Sequence, residues 1–237
     1  MKNFLTARWE NLIMANYAVP PSVLLPFLPN GVELDFFEGK TYVSLVGFMF
    51  KDTRIFGLPI PGLGTFEEIN LRFYVTRKDG HDIKRGVVFI NETVPYKAVA
   101  WLANRLYKEH YTAIPTKHRW KTDDTKKQIE YLWLLNEKWS HMAVEALAGK
   151  KTMVAGSIES FIFEHYYGFT RFNETSSQEY KVAHPAWAVN TVLSHDINCD
   201  FQKMYGDEFS FLNNATPDSV LLAEGSAVSV KWKRTRF

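Results

Sequence analysis

Three polar residues of different chemistry follow a Gly/Pro-rich loop at regular spacing. The loop GLPIPGLG leads into an extended segment in which Glu68, Asn70 and Arg72 stand two residues apart. Because successive side chains of a strand point to opposite sides, the three share one face, and Phe66 and Tyr74 bracket them. An acid, an amide and a guanidinium on one face suit the wall of a small polar pocket. The same pattern is also typical of the solvated face of a half-exposed antiparallel strand, so both interpretations stay open here.

Motifs for other chemistries are scarce. The chain has no HxH, HExxH or CxxC pair, so we expect no metal site, and it lacks GxSxG and GxGxxG, so we expect no nucleophile elbow and no dinucleotide cofactor. His165 follows Glu164 in an aromatic cluster and is either a buried proton donor or a structural histidine. Cys199 has no basic neighbour in the sequence, which favours a structural thiol over a nucleophile.

Length and composition limit the class of protein. The chain has 237 residues, of which 46% are hydrophobic and 15% aromatic, enough for a substantial core or an aromatic-lined cavity. A net charge of +2 gives no reason to expect binding to nucleic acid or to an anionic membrane. A single cysteine fits a reducing compartment, and neither a signal peptide nor a membrane span is recognisable. We therefore expect a soluble, cytoplasmic protein.

Short strands separated by turn signals must position the polar residues. The apolar row Ile69, Leu71 and Phe73 predicts that the other face of their strand packs against a helical layer. A turn at 78–80 leads to a second strand at 85–92, and the recurrence of Ala98, Trp101 and Leu102 predicts a helix within 95–107. The segment 127–146 favours a hairpin, although a helical interpretation stays open. The remaining predictions are a helix from Ser157, a hairpin at 167–183, strands at 41–50, 187–201 and 220–232, and a short helix at 20–28. The sum is one α+β domain over residues 1–237, mainly antiparallel, with a strongly curved or closed sheet around a central cavity.

Several segments together resemble a known family. They are NYAVPPSVLLPFLPNGVELDFFEGKTYVSLVGF, GLGTFEEINLRFYV, FEHYYGFTRF, HPAW and SVLLAEGSAVSV. On these segments the chain is identified as a member of the YqjF-like family of uncharacterised bacterial proteins, within the acetoacetate decarboxylase-like superfamily. The LPNGVELD turn and the GLGTFEE junction carry the more distant similarity to the decarboxylases themselves. The resemblance implies their fold.

The resemblance also implies site residues. In the decarboxylases a glutamate follows the glycine loop and lies in the active site, and Glu68 matches it. Their Schiff-base lysine lies in a Tyr-Pro-Lys-Lys run just after a helix, and Lys108 is the nearest lysine here, with Glu109 replacing a cation. A lysine forms such a Schiff base when its amine is neutral near pH 7. Arg8 is the approximate counterpart of an N-terminal arginine of the family.

Two functions from different classes follow from these expectations. One is an enzyme acting on a small carboxylated or carbonyl metabolite, a decarboxylase-like lyase or another carbonyl enzyme, without a cofactor. The other is a non-catalytic small-molecule binding protein that retains the cavity without Schiff-base chemistry. The expected partners are a small-molecule ligand or substrate, with neither nucleic acid nor membrane, and a homo-oligomer is left open. The candidate site residues are Glu68 and Lys108 for catalysis, and Asn70, Arg72, Arg8, Tyr74 and His165 for binding.

Overall fold

A computed structural model describes residues 3–232 and 234–237 of the chain. Within them the chain forms fifteen strands, four α-helices and two 3₁₀ helices. The strands are β1 (Asn3–Val19), β2 (Glu33–Leu34), β3 (Thr41–Ile55), β4 (Leu58–Pro59), β5 (Phe66–Asp79), β6 (Asp82–Val94), β7 (Tyr111–Ala113), β8 (Thr116–Thr122), β9 (Lys126–Leu135), β10 (Lys138–Thr152), β11 (Tyr167–Arg171), β12 (Ser177–Ala183), β13 (Ala188–Asn198), β14 (Ser219–Lys231) and β15 (Thr235–Arg236). The helices are α1 (Pro21–Leu24), α2 (Lys97–Tyr107), α3 (Ile158–Phe163) and α4 (Phe201–Tyr205), and the 3₁₀ helices are Leu25–Phe27 and Asp207–Asn214. The prediction of a mainly antiparallel fold with a few short helices is confirmed.

All fifteen strands belong to one hydrogen-bonded sheet. Its pairs are antiparallel except those of β6 with β7 and with β11. Seven strands follow one another in the order β12, β11, β6, β5, β3, β1 and β14. Since β12 also pairs with β14, through Val182–Val230 and Ala183–Ser229, this series of neighbours returns to its start. These seven strands therefore have an inner and an outer side.

Each side of the sheet has its own apolar core. On the outer side, Ile69, Leu71 and Phe73 are fully buried, as the alternation of the sequence predicts. The cluster that contains them also includes Tyr131 and Met142 of the β9–β10 hairpin, together with Phe201, Phe209 and Leu212 from the helical segment after β13. The expected helical layer is thus only part of this core, because a β-hairpin covers the same face.

Local turn and cap residues account for most of the element boundaries. The β9–β10 hairpin turns at Asn136 and Glu137, whose φ angles of 47° and 64° are those of the turn that matches the twist of a hairpin. Ser157 caps α3, as predicted, by accepting a hydrogen bond from the backbone of Ser160. The predicted strand to residue 201 ends earlier, at Asn198. The reason is that the carboxylate of Asp200 accepts the N–H of Lys203 and starts α4.

A bulge in the β5–β6 hairpin lies at the level of the polar residues. The pairing shifts by one residue just before Arg72, so that Arg72 faces Phe89 whereas Asn70 faces Glu92. A bulge redirects the side chains of its strand. In a regular hairpin Asn91 would face Asn70, and Glu92 would point to the outer core. The bulge therefore brings Glu92 to the inner side, next to Asn70.

In the described part of the chain, none of the helices combines the length and the apolar character needed to cross a membrane.

Candidate functional site

A pocket of about 140 Å³ lies between the inner side of the sheet and helix α2. The helix contributes Val99, Leu102, Ala103 and Leu106, whose spacing of three and four residues puts them on one helical face. The predicted helix is present, but its buried face differs from the expected one, since Trp101 is 65% exposed. The apolar walls from the sheet are formed by Phe4, Leu5, Trp9, Leu12, Val46, Phe48, Phe50, Phe66, Phe89, Val182 and Val230.

Three carboxyl groups line this otherwise mostly apolar pocket. Glu68 lies on β5, Glu92 on β6, and Glu109 between α2 and β7. Their residues are only 3%, 2% and 6% exposed, respectively. The other polar side chains that line the pocket are those of Thr53, Asn70, Arg72, Tyr111 and Tyr180. Of the two interpretations that the sequence leaves open for Glu68, Asn70 and Arg72, this placement on the pocket wall favours the first.

The turn after α2 carries Glu109 into the pocket. Lys108 ends the helix in the left-handed conformation, with φ 59° and ψ 29°, and its N–H bonds to the carbonyl of Asn104. The side chain of Asn104 then holds the backbone of Tyr111 through two hydrogen bonds of 2.9 and 2.6 Å. Thr170 fixes the same turn by donating its hydroxyl to the Lys108 carbonyl at 3.0 Å. The reversal of the chain therefore places Glu109 and Tyr111 in the pocket together.

Hydrogen bonds connect the carboxyls to neighbouring side chains, and at Glu92 the partner is the hydroxyl of Tyr111. Glu68 accepts the amide of Asn70 at 3.0 Å on one oxygen and the hydroxyl of Tyr111 at 3.2 Å on the other. Glu109 accepts the hydroxyl of Tyr180 at 2.9 Å. Two buried acceptors, Oδ1 of Asn70 and Oε2 of Glu92, have no hydrogen-bond partner among the described residues. The pocket therefore has acceptor atoms to offer a ligand.

Burial raises the pKa of all three carboxyls. It raises the pKa of Glu68 from 4.5 to about 7 and the pKa of Glu109 from 4.5 to about 8, and the pKa of Glu92 lies well above its usual range. The cause is first the loss of hydration, and repulsion between the carboxyls adds to it at Glu92 and Glu109. The nearby Arg72 acts in the opposite direction on Glu68 and Glu92, which only partly offsets these effects. The carboxyls of Glu68 and Glu109 can thus gain and lose protons near neutral pH.

Arg72 is the cationic residue of the pocket. Its guanidinium carbon lies 5.8 Å from the centre of the Tyr74 ring, and its Nη2 is 3.9 Å from the sulfur of Met14. The buried Nε of Arg72 has no hydrogen-bond partner among the described residues. A guanidinium without a carboxylate partner can donate to an oxygen atom of a ligand.

Four of the seven candidate site residues do not line the pocket, and two of these, Lys108 and Arg8, are exposed. The residue Lys108 is exposed, and its side chain does not line the pocket. Arg8 is 53% exposed at its side chain and forms an ion pair with Glu10 at 2.7 Å. Among the described residues no lysine lines the pocket. Glu109, which the sequence comparison gave as the replacement of a cation, lines the pocket instead.

Tyr74 and His165 lie side by side in the inner core, without lining the pocket. Their ring centres are 4.7 Å apart. The hydroxyl of Tyr74 lies 2.5 Å from that of Ser44, and Nε2 of His165 lies 3.0 Å from the carboxylate of Asp35. Burial lowers the pKa of His165 to about 4, which keeps the ring neutral. Tyr74 lies on the same strand as Arg72, and His165 packs against the Tyr74 ring.

Five polar residues of the pocket were not among the sequence-based candidates: Thr53, Glu92, Glu109, Tyr111 and Tyr180. Glu92 was hidden because only the bulge turns it inward. Glu109 lies in the segment that was compared with Tyr-Pro-Lys-Lys, but a Schiff base requires a lysine, which favours its neighbour Lys108. In the described residues no group of three or more His, Cys, Asp or Glu side chains is arranged to hold a metal ion.

Comparisons with known proteins agree with the fold. Residues 6–227 match the model of the family DUF2071, described as an uncharacterized conserved protein. The uncharacterized protein YqjF of Bacillus subtilis (strain 168) is 26% identical over 191 residues, which cover 80% of this chain and 77% of that protein.

Solved structures with the same fold share little sequence with the chain. An acetoacetate decarboxylase-like enzyme from Sphingomonas wittichii RW1 matches with a TM-score of 0.67 and 10% identity, over 100% of this chain and 94% of that one. The enduracididine biosynthesis enzyme MppR, complexed with pyruvate, matches with a TM-score of 0.65 and 10% identity, over 100% and 91%. At these identities the likeness concerns the fold alone. The chain thus has an acetoacetate decarboxylase-like fold and belongs to the DUF2071 family of uncharacterized conserved proteins.

Proposed function

We propose that the chain is an enzyme that binds a small carbonyl or carboxylated metabolite in the pocket. In this proposal Glu68 transfers a proton from or to the bound metabolite. The observation that carries this proposal is the group of three buried carboxyls in a mostly apolar pocket. Strongly perturbed acids gathered in a cleft are typical of functional sites. Burying them lowers the stability of the protein, and this cost is typically offset by a role in binding or catalysis. In this proposal the seven-stranded ring of β-pairs surrounds a central ligand cavity.

Glu68 is the acid–base residue of the proposal. A pKa of about 7 allows its carboxyl to hold a proton and to release it near neutral pH. The amide of Asn70 and the hydroxyl of Tyr111 orient the two oxygens of the carboxyl. Glu68 as a carboxylate removes a proton from the carbon next to the ligand carbonyl. The electron pair of that C–H bond forms a carbon–carbon double bond, and the π pair of the carbonyl moves to its oxygen. Arg72 donates to that oxygen and stabilises its negative charge.

A fold neighbour supports the choice of ligand class. The enzyme MppR, whose fold this chain shares, has been solved with pyruvate, a small carbonyl and carboxylate compound. A pocket of about 140 Å³ fits a ligand of comparable or slightly larger size, because a cavity of about 150 Å³ accommodates benzene. The carboxylate of such a ligand provides a second acceptor for the guanidinium of Arg72.

The proposed chemistry needs no lysine. A Schiff base requires an amine within reach of the carbonyl, and Lys108 is exposed outside the pocket. Its absence from the lining also favours a second candidate function, a binding protein that retains the pocket without catalysis. In that case the carboxyls only recognise the ligand.

Exchange of ligand hydrogens with solvent deuterium tests the proposal. A panel of 2-oxo acids and ketones with three to six carbons is incubated with the protein in D₂O, and loss of the proton on the carbon next to the carbonyl is followed by NMR. We expect catalysed exchange for at least one compound, and a loss of about a hundredfold or more in Glu68→Gln, whose ligand affinity stays close to that of the wild type. Glu67→Gln is the matched control, since the neighbouring Glu67 contacts Thr116 and His118 instead of the pocket.

Three other outcomes would each overturn one part of the proposal. Saturable binding without exchange supports the binding protein. Exchange that persists undiminished in Glu68→Gln removes Glu68 from its proposed role. A compound that becomes covalently attached to the protein on borohydride reduction would contradict the absence of lysine chemistry.

A further inference from the structure

Acidic groups outnumber basic groups in the lining of the pocket. Three carboxyls face one guanidinium, and among the described residues neither lysine nor histidine lines the pocket. Without a ligand, the carboxyls avoid buried negative charge by binding protons. A ligand that carries a positive charge would allow two of them to ionise inside the pocket. Charged hydrogen bonds between such a ligand and a carboxylate are stronger than neutral ones.

Two pocket atoms without a partner among the described residues, Oδ1 of Asn70 and Oε2 of Glu92, can accept a hydrogen bond, whereas the unpartnered Nε of Arg72 can only donate one. The amide nitrogen of Asn70 already donates to Glu68, so its free Oδ1 can only accept. Oε2 of Glu92 is likewise without a partner among the described residues. Asn70 and Glu92 are 1% and 2% exposed and face each other across β5 and β6. Both side chains line the pocket, so a donor group of a ligand can bind to Asn70 and to the ionised Glu92 together.

We propose that the ligand is a small protonated amine whose ammonium group is held by Glu92, Glu109 and the side-chain oxygen of Asn70, with its apolar part against the aromatic wall. An ammonium has three donors and therefore serves these three acceptors. The remaining carboxyl, Glu68, stays available for proton transfer. This inference rests on the proposed function and narrows its ligand class to amines that also carry a carbonyl or carboxyl group.

The dimensions and walls of the pocket fit the apolar part of such a ligand. Phe48, Phe50 and Phe66 line one side of it, and Leu102 and Leu106 of helix α2 line another. The stacked rings of Phe50 and Phe66, 4.8 Å apart, form a flat apolar surface. A chain of about five carbon atoms matches a cavity of this volume.

Titration calorimetry with three probes of equal chain length tests the ammonium site. The probes are pentylammonium, 1-pentanol and pentanoate, and 2-pentanone is added as a neutral carbonyl compound. We expect pentylammonium to bind at least about tenfold more tightly than 1-pentanol at pH 7. The groups that titrate or carry charge around the ammonium are Glu68, Arg72, Glu92, Glu109, Tyr111 and Tyr180.

The proton balance gives an independent readout. Because the carboxyls are protonated in part at neutral pH and ionise beside a cation, binding of pentylammonium should release protons. Its observed enthalpy should therefore depend on the ionisation enthalpy of the buffer, and its affinity should increase between about pH 6 and pH 9. Binding of 1-pentanol should show neither effect.

A pair of variants localises the site. Glu92→Gln should weaken pentylammonium at least about tenfold and change the affinity of 1-pentanol less than about threefold. Glu67→Gln, on the same strand as Glu68 but outside the pocket, should change neither. The comparison of the four probes on the wild-type protein remains decisive even where a variant does not fold.

The outcomes separate the inference from the proposed function. Binding of 1-pentanol, pentanoate or 2-pentanone with equal or higher affinity than pentylammonium overturns the ammonium site but leaves a small-molecule pocket. Absence of binding by all four probes and by every 2-oxo acid and ketone of the panel overturns both.

Discussion

At the scale of single residues, the protonation of three glutamates decides what the pocket can do. Glu68 and Glu109 have pKa values of about 7 and about 8, and Glu92 titrates well above its usual range. For an acid whose pKa is higher in the folded than in the unfolded protein, the folded state binds more protons. Stability therefore falls as the pH rises from the unfolded pKa, about 4.5, to the folded one.

Replacing Glu109 by glutamine should remove part of this loss of stability at high pH. Glu109→Gln keeps an acceptor for the hydroxyl of Tyr180 but cannot ionise. We expect its free energy of unfolding to exceed that of the wild type by about 2 kcal/mol or more at pH 8, a shift of about 4–8 °C in Tm, and by far less at pH 5. Thermal unfolding at both pH values measures this. A difference between wild type and variant that is equal at pH 5 and pH 8 would contradict the buried acid.

The residues of the site differ in how well sequence reasoning finds them. The alternation of Glu68, Asn70 and Arg72 with apolar residues is a local pattern, and it was enough to predict a shared face. Glu92 could not be predicted, because the face of the sheet to which it points depends on a bulge. No residue type in the hairpin sequence indicates that bulge. Glu109 escaped because the left-handed conformation of its neighbour, a lysine rather than a glycine, is not visible in the sequence.

At the scale of elements, the turn between α2 and β7 is the part that builds the site. It is held by Asn104 and Thr170 and carries both Glu109 and Tyr111. The left-handed conformation of Lys108 is unfavourable for a residue with a side chain. Glycine adopts it at no steric cost and is the usual residue at such helix ends.

Replacing Lys108 by glycine should therefore stabilise the protein. We expect Lys108→Gly to raise the free energy of unfolding by about 1 kcal/mol, while deuterium exchange on the ligand stays within about twofold of the wild type. Lys108→Ala is the matched control, since it removes the amine and keeps the strained backbone, and it should change neither quantity. Urea unfolding and the NMR exchange assay measure both. Loss of deuterium exchange in both variants would indicate that the Lys108 amine takes part in catalysis.

At the scale of the whole molecule, the pairing of β12 with β14 joins the ends of a series of seven strands. Hairpins such as β9–β10 follow from local turn signals and alternation, so they could be predicted from the sequence. The β12–β14 contact joins residues far apart in the chain, and no local pattern specifies such a pairing. The pocket depends on it, because Tyr180, Val182 and Val230 come from these two strands.

We propose that the chain folds as a single domain, because all fifteen strands of the described residues belong to one sheet. Calorimetry should then show one unfolding transition whose calorimetric and van't Hoff enthalpies agree. Two resolved transitions, or a van't Hoff enthalpy well below the calorimetric one, would indicate separate units. A ligand that fills the pocket should shift the whole transition upward rather than broaden it.

The central claim, that the pocket holds carboxyl groups that exchange protons near neutral pH, can be measured directly. The carboxyl carbons of ¹³C-labelled glutamates are followed by NMR from pH 4 to pH 9, and Glu68→Gln and Glu109→Gln assign the signals. We predict two resonances with midpoints of about 7 and about 8, each absent from its variant. Titration of the Glu68 and Glu109 resonances below about pH 5, as for exposed glutamates, would contradict the account.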